Sequence, residues 1–175
     1  MSTLTPPVDA RDHVLGRADA TTLVEYGDYQ CPTCADAHPL VQELLRAFGD
    51  RLRFVYRHFP LSELHPMALP AAEAAEAAGA LGDFWSMHDE LFENQDRLDP
   101  DVLRACADNV GIDALAFDDQ LARHVHRGRV RDDFRSGVRS GVNGTPTFFI
   151  DGSRYDGPLD VMGMVRAIAL VAGRT

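Results

Sequence analysis

The sequence predicts an α/β fold: a central mixed sheet flanked by helices, with an all-α insertion between the second and third core strands. Three observations predict it. A β-branched apolar run at 21–26 (TTLVEY) leads directly into Cys31-Pro32-Thr33-Cys34 and an amphipathic helical pattern. Two further strand-like runs, 52–59 (LRFVYRHF) and 147–150 (TFFI), are separated by a long stretch rich in alanine and other helix formers. A last amphipathic pattern closes the chain. At 175 residues, the chain suits one domain (1–65 and 142–175) carrying a helical insertion (66–141) better than two full domains.

Taken in order, residues 1–20 are polar and contain Pro6-Pro7, so a poorly ordered lead-in is expected. Residues 21–26 lack Gly and Pro and are apolar apart from Glu25, as in a buried strand. Pro32 suits the first turn of a helix, where its missing N–H costs nothing. Leu40, Leu44 and Phe48 then recur on one helical face, with Val41 and Leu45 beside them. Gly49 is the expected stop, and Pro39 should bend the axis. Pro60 ends the second strand. Residues 67–81 are helix, and Phe84, Trp85, Met87, His88, Leu91 and Phe92 form the next stripe, read as core of the insertion. Asp99 and Asp113 are N-caps. Asp151-Gly152 is a hairpin turn, pairing 147–150 with 153–155, and residues 158–172 make the final helix.

Net charge is −10, from 17 basic and 27 acidic residues. That sign repels phosphate backbones and anionic lipid, so neither nucleic acid nor a membrane surface is an expected partner. No apolar run approaches the ~18 residues of a membrane span. The N-terminus lacks the basic start and apolar block of a secretory signal, so a cytoplasmic protein, monomeric by default, is expected. Three cysteines (Cys31, Cys34, Cys106) are too few for a disulfide-stapled scaffold.

A C-x-x-C in such a chain means redox chemistry or metal binding. Zinc wants four ligands, usually a second cysteine pair or a spaced His pair. His124 and His126 are two apart, and nothing places them near Cys31. The position between a strand and a helix start favours redox. Disulfide exchange needs a thiolate to attack and a second thiol to resolve the mixed disulfide. A first cysteine at the positive end of a helix dipole gains ~0.3–2 kcal/mol for its thiolate, enough to bring its pKa from ~8.5 to ~7. Anything lower needs additional hydrogen bonds. Cys31 is therefore the nucleophile and Cys34 the resolving thiol, with no diffusible cofactor and no metal required. Asp28 and Gln30 are read as surface residues shaping substrate contact, and His38 as a solvated helix residue. His58, His65 and His88 are read as packing residues, and Cys106 as a small buried hydrophobe.

The segment 23–34 (LVEYGDYQCPTC) resembles the active-site segment of DsbA-like thioredoxin-fold proteins. Pro39, the run 55–61 (VYRHFPL), the run 84–89 (FWSMHD) and the run 141–150 (GVNGTPTFFI) resemble further segments of that branch, in order and spacing, from about Thr21 to the C-terminus. The resemblance implies a thioredoxin-like fold and thiol–disulfide oxidoreductase activity. It implies that Pro146 is cis and lies against the cysteines, and that Thr145, with Pro32 and Thr33, contacts substrate. It also implies that Glu25 is a buried acid relaying a proton to the resolving thiol. Partners would be protein or small-molecule disulfides and a thiol electron system. Because a strongly oxidising couple is held reduced at the cytosolic glutathione poise, a reductase, isomerase or redox-stress relay is expected over a net oxidase. Two alternatives stay open: a metal-responsive protein using Cys31, Cys34 and nearby His, and a glutathione-dependent isomerase, against which the presence of Cys34 counts.

Overall fold

The computed structural model describes residues 2–173. Five strands form one sheet: β1 (His13–Leu15), β2 (Thr21–Gly27), β3 (Leu52–His58), β4 (Thr147–Ile150) and β5 (Ser153–Tyr155), in the order β1-β3-β2-β4-β5. β2 and β3 are parallel, joined by α1 (Pro32–Phe48), and every other pairing is antiparallel. Between β3 and β4 run α2 (Ala68–Leu81), α3 (Phe84–Glu93), α4 (Pro100–Asn109), α5 (Ala114–Ala122) and α6 (Arg127–Arg139). α7 (Val161–Ala172) closes the chain.

Alternation along β2 places its side chains. Leu23 joins Phe54, Tyr56, Phe148 and Cys34 in the larger core, whereas Val24 and Tyr26 join Val55, Phe59 and Phe149 in the smaller one. By parity Glu25 shares the face of Leu23, towards the cysteine helix. The larger core also takes in Ala71, Ala74 and Ala75 of α2, Met87 and Leu91 of α3, and Leu103 and Cys106 of α4. The inserted helices and the sheet thus share one apolar interior. α2 is nearly all alanine on its buried sides, which lets it run through the middle of the helical layer. Asp151 (φ 43°) and Gly152 (φ 80°) are both left-handed, as the β4–β5 hairpin turn requires.

Two expectations are corrected. The lead-in is not loose. Arg57, buried on β3, needs acceptors, and the N-terminal segment supplies them: Asp12 accepts from its Nε and Nη2 at 2.8 and 2.9 Å, and the carbonyls of Pro6 and Pro7 at 3.0 and 3.1 Å. Leu4 is buried, its N–H donating to the Gly152 carbonyl, and β1 adds a fifth strand against β3. The final helix begins at Val161 rather than 158, because Asp160 caps it by accepting from the Gly163 N–H at 2.7 Å.

Candidate active site

β2 is the central strand, and its end delivers the chain into the N-terminus of α1. Cys31 is the N-cap residue (φ −76°, ψ 121°) and Pro32 follows as the first helical residue. The N–H groups of Cys34 and Ala35 donate to the Cys31 carbonyl, closing the first turn. Cys31 keeps 7% of its surface open and Cys34 none, so only Cys31 can meet a substrate disulfide directly. Both are free thiols.

The site holds Cys31 as an anion. Hydrogen bonding from the Cys34 thiol is the largest influence; it lowers the Cys31 pKa to about 4, with help from Thr145 and Thr33 and against the opposing effect of burial. The Thr33 hydroxyl lies 3.0 Å from the sulfur and also donates to the Thr145 carbonyl at 3.0 Å. It has one proton and two acceptors, so it can turn to the sulfur when the thiol ionises. The Thr145 hydroxyl is buried with no other partner among the described residues, which leaves its proton for the ionised sulfur. These donors are the additional hydrogen bonds that the helix dipole alone does not supply. Cys34 is pushed the other way, well above the usual thiol range, first by burial and then by its hydrogen bond to Cys31. Opposite shifts on adjacent thiols separate a nucleophile from a proton-holding partner.

The loop before β4 faces the pair. The Thr145–Pro146 peptide is cis, and the Thr145 carbonyl lies 3.5 Å from the Cys31 sulfur. Pro32 and Thr33 are exposed beside it. Glu25 is buried on β2 with Oε1 unpartnered, and burial first, then the Cys31 charge, raises its pKa to about 8.

Asp28 and Gln30 are not surface residues. The Asp28 side chain is fully buried and accepts from the Gln30 N–H (2.8 Å), the Leu61 N–H (2.9 Å) and His65 Nδ1 (2.8 Å). Half-buried Gln30 accepts from the Met67 N–H at 2.7 Å. Together they tie the cysteine loop to the β3–α2 connection. These partners lie more than thirty residues away in sequence, so spacing near the motif could not reveal them. His38 is half-buried and not solvated: its ring stacks on Phe92 and lies 3.3 Å from Asp89. His58 and His88 are core residues, His58 holding Glu76 at 2.9 Å and His88 hydrogen-bonded to Tyr29. Cys106 is buried and its thiol pushed up to about 11, mainly by burial. His124 lies beside Glu73 of α2, within the inserted helices.

Comparison with known proteins places the family and the fold. A curated relative, the Na(+)/H(+) antiporter NhaA 1 of Mycobacterium sp. (strain KMS), is 44% identical over 176 residues, covering 98% of this chain and 28% of that protein. The chain therefore spans little more than a quarter of that relative, and no helix among the described residues is long and apolar enough to cross a membrane. Among solved structures, oxidised BdbD from Bacillus subtilis superposes with a TM-score of 0.85 at 24% identity, covering 98% of both chains. A thioredoxin-like oxidoreductase from Silicibacter pomeroyi DSS-3 gives 0.79 at 26% identity, covering 95% of both. The thiol-disulfide exchange protein alpha-DsbA2 of Wolbachia pipientis gives 0.82 at 20% identity, over 93% of this chain and 88% of that one. The fold is thus the thioredoxin-like fold of DsbA-type oxidoreductases. The profile described as thioredoxin matches residues 9–169, and the chain belongs to the thioredoxin family.

Proposed function

We propose that the chain is a thiol–disulfide oxidoreductase working through Cys31 and Cys34. The observation that carries this reading is the geometry of the pair: a partly open Cys31 capping the N-terminus of α1, with the Thr33 hydroxyl 3.0 Å and the Thr145 carbonyl 3.5 Å from its sulfur, beside a closed Cys34. The Cys31 thiolate attacks one sulfur of a substrate disulfide; a mixed disulfide forms and the other substrate sulfur leaves as thiolate. Cys34 then gives up its proton and attacks the Cys31 sulfur. The Cys31–Cys34 disulfide forms, the substrate leaves as a dithiol, and its two electrons have come from the protein. A thiol electron system restores the reduced pair.

Glu25 is suited to take the Cys34 proton because its protonation depends on the state of Cys31. While Cys31 is ionised its charge helps hold Glu25 protonated. Once Cys31 is tied up in the mixed disulfide that charge is gone, Glu25 releases its own proton to water, and the carboxylate then accepts the proton of Cys34. Thr145, Pro32 and Thr33 form the contact surface, with the Thr145 backbone pairing to an extended substrate segment.

A thiolate held this strongly stabilises the reduced state, which makes the couple oxidising. At the cytoplasmic glutathione poise such a couple would be kept reduced and ready to reduce or reshuffle reactive disulfides. The antiporter name belongs to a relative most of whose length lies outside the match, and antiport is no part of this reading. The test has two readouts. The protein should accelerate insulin reduction by dithiothreitol and Cys31→Ser should abolish this; equilibration with glutathione should place the couple nearer ~−120 mV than thioredoxin's ~−270 mV. Undiminished activity in Cys31→Ser would overturn the proposal.

A further inference from the structure

Among the described residues, two groups of metal-ligand side chains lie outside the dithiol. In one, His58, Glu76 and Asp133 bring donor atoms within 4.8 Å of one another. That group is already neutralised: Arg129 lies 3.6 Å from Glu76 and 3.5 Å from Asp133, and His13 and His58 both hold Glu76 at 2.9 Å. A cation there would have to displace a largely buried guanidinium.

The other group has no such occupant. His38 of α1 and His88 and Asp89 of α3 also bring donor atoms within 4.8 Å of one another. Asp89 accepts from the neutral Gln42 amide at 3.1 Å and lies 3.3 Å from His38 Nε2, and no arginine pairs with it among the described residues. His88 is 2% exposed and packed among Tyr29, Tyr56, Trp85 and Phe92, which fix its ring. Its Nδ1 is hydrogen-bonded to the Tyr29 hydroxyl at 2.9 Å, and no hydrogen bond engages Nε2 among the described residues. A ring oriented through one nitrogen with the other left over is how ligating histidines are held.

We propose that His38, His88 and Asp89 form a binding site for a divalent transition-metal ion of the zinc type. Two imidazoles and a carboxylate are the donor set for zinc and its neighbours rather than for calcium or magnesium. Ligands ~2.0–2.2 Å from a tetrahedral ion stand roughly 3.3 Å apart, so the three groups need only draw together by about an ångström or so. The Asp89 side chain is 46% exposed, giving an ion entry and leaving the fourth position to water. No cysteine takes part, which separates this site from metal binding by the C-x-x-C motif.

The experiment removes the sulfurs first. Zn²⁺ is titrated calorimetrically into full-length Cys31→Ser/Cys34→Ser protein, and into the same protein carrying His38→Gln or Asp89→Asn. Both added substitutions keep side-chain size at partly exposed positions, and circular dichroism checks folding. One ion per chain is expected, with affinity falling at least about tenfold in each variant. Co²⁺ in place of Zn²⁺ should give tetrahedral absorption bands without a thiolate charge-transfer band. No saturable binding, or an affinity that neither substitution changes, would overturn the site. Neither result touches the dithiol reading, since the protein tested has no dithiol.

Discussion

Replacing Thr33 with valine removes one of the contacts that keep Cys31 ionised, together with the hydroxyl's bond to the Thr145 carbonyl. The residue is exposed and valine has the same shape, so packing is unchanged while the hydroxyl 3.0 Å from the sulfur is lost. A hydrogen bond to a charged group contributes ~1.5–3 kcal/mol, and ~1.36 kcal/mol is one pKa unit. Exposure puts Thr33 at the low end, so the midpoint should rise by roughly one unit, from about 4 towards 5. The Cys34 thiol and Thr145 remain and keep the midpoint far below a free cysteine's ~8.5. The assay is the pH dependence of alkylation by iodoacetamide, checked by thiolate ultraviolet absorbance. Cys106, buried with its thiol pushed up to about 11, stays silent. At pH 5 the unsubstituted protein should be ~90% ionised and Thr33→Val about half. At ~30 mV per decade, the potential at pH 7 should fall by about 30 mV. A Thr33→Val midpoint indistinguishable from the parent's, or a parent midpoint near 8, would refute the reasoning.

Glu25→Leu should stabilise the fold. Between pH 4.5 and about 8 the unfolded chain has released this proton and the folded chain has not, so stability falls as pH rises, by about 3 kcal/mol at pH 7. Urea unfolding in a Cys31→Ala background, free of the thiolate's opposite pH dependence, should show that slope, and Glu25→Leu should lack it. Asp12→Ala strands the Arg57 guanidinium in a site where both side chains are under 5% exposed, so a loss of about 3–5 kcal/mol is expected. A urea midpoint equivalent to less than ~1 kcal/mol would mean that the N-terminal segment is not held as described. Gly137→Ala would set a Cβ 2.6 Å from the Phe59 ring where α6 packs on the sheet, costing about 1–3 kcal/mol by thermal unfolding. An unchanged melting temperature would show that α6 can shift.

Short-range signals were legible and long-range ones were not. Cys31 at a helix start, Pro32 behind it, the Asp151-Gly152 turn and the caps Asp99 and Asp113 all act within a few residues, and the structure places each where spacing expects it. The depth of the Cys31 shift needed the Thr145 side chain, on a loop 114 residues away, and so exceeded what a helix dipole explains. Asp28 looks like a surface acid because its acceptors' work is done for Leu61 and His65. His38 and His88 are fifty residues apart and meet only because α1 and α3 pack together. Pro6 and Pro7 resemble a loose leader, yet their carbonyls serve an arginine on β3 that reads, locally, as an ordinary strand residue.

The division of labour between the two sulfurs is tested most directly by trapping. Cys34→Ser protein is mixed with a disulfide-containing peptide, quenched in acid and mapped by mass spectrometry. A stable mixed disulfide on Cys31, absent when Cys34 is present to resolve it, is the expected result. Peptide attached to Cys106, or no adduct at all, would contradict it.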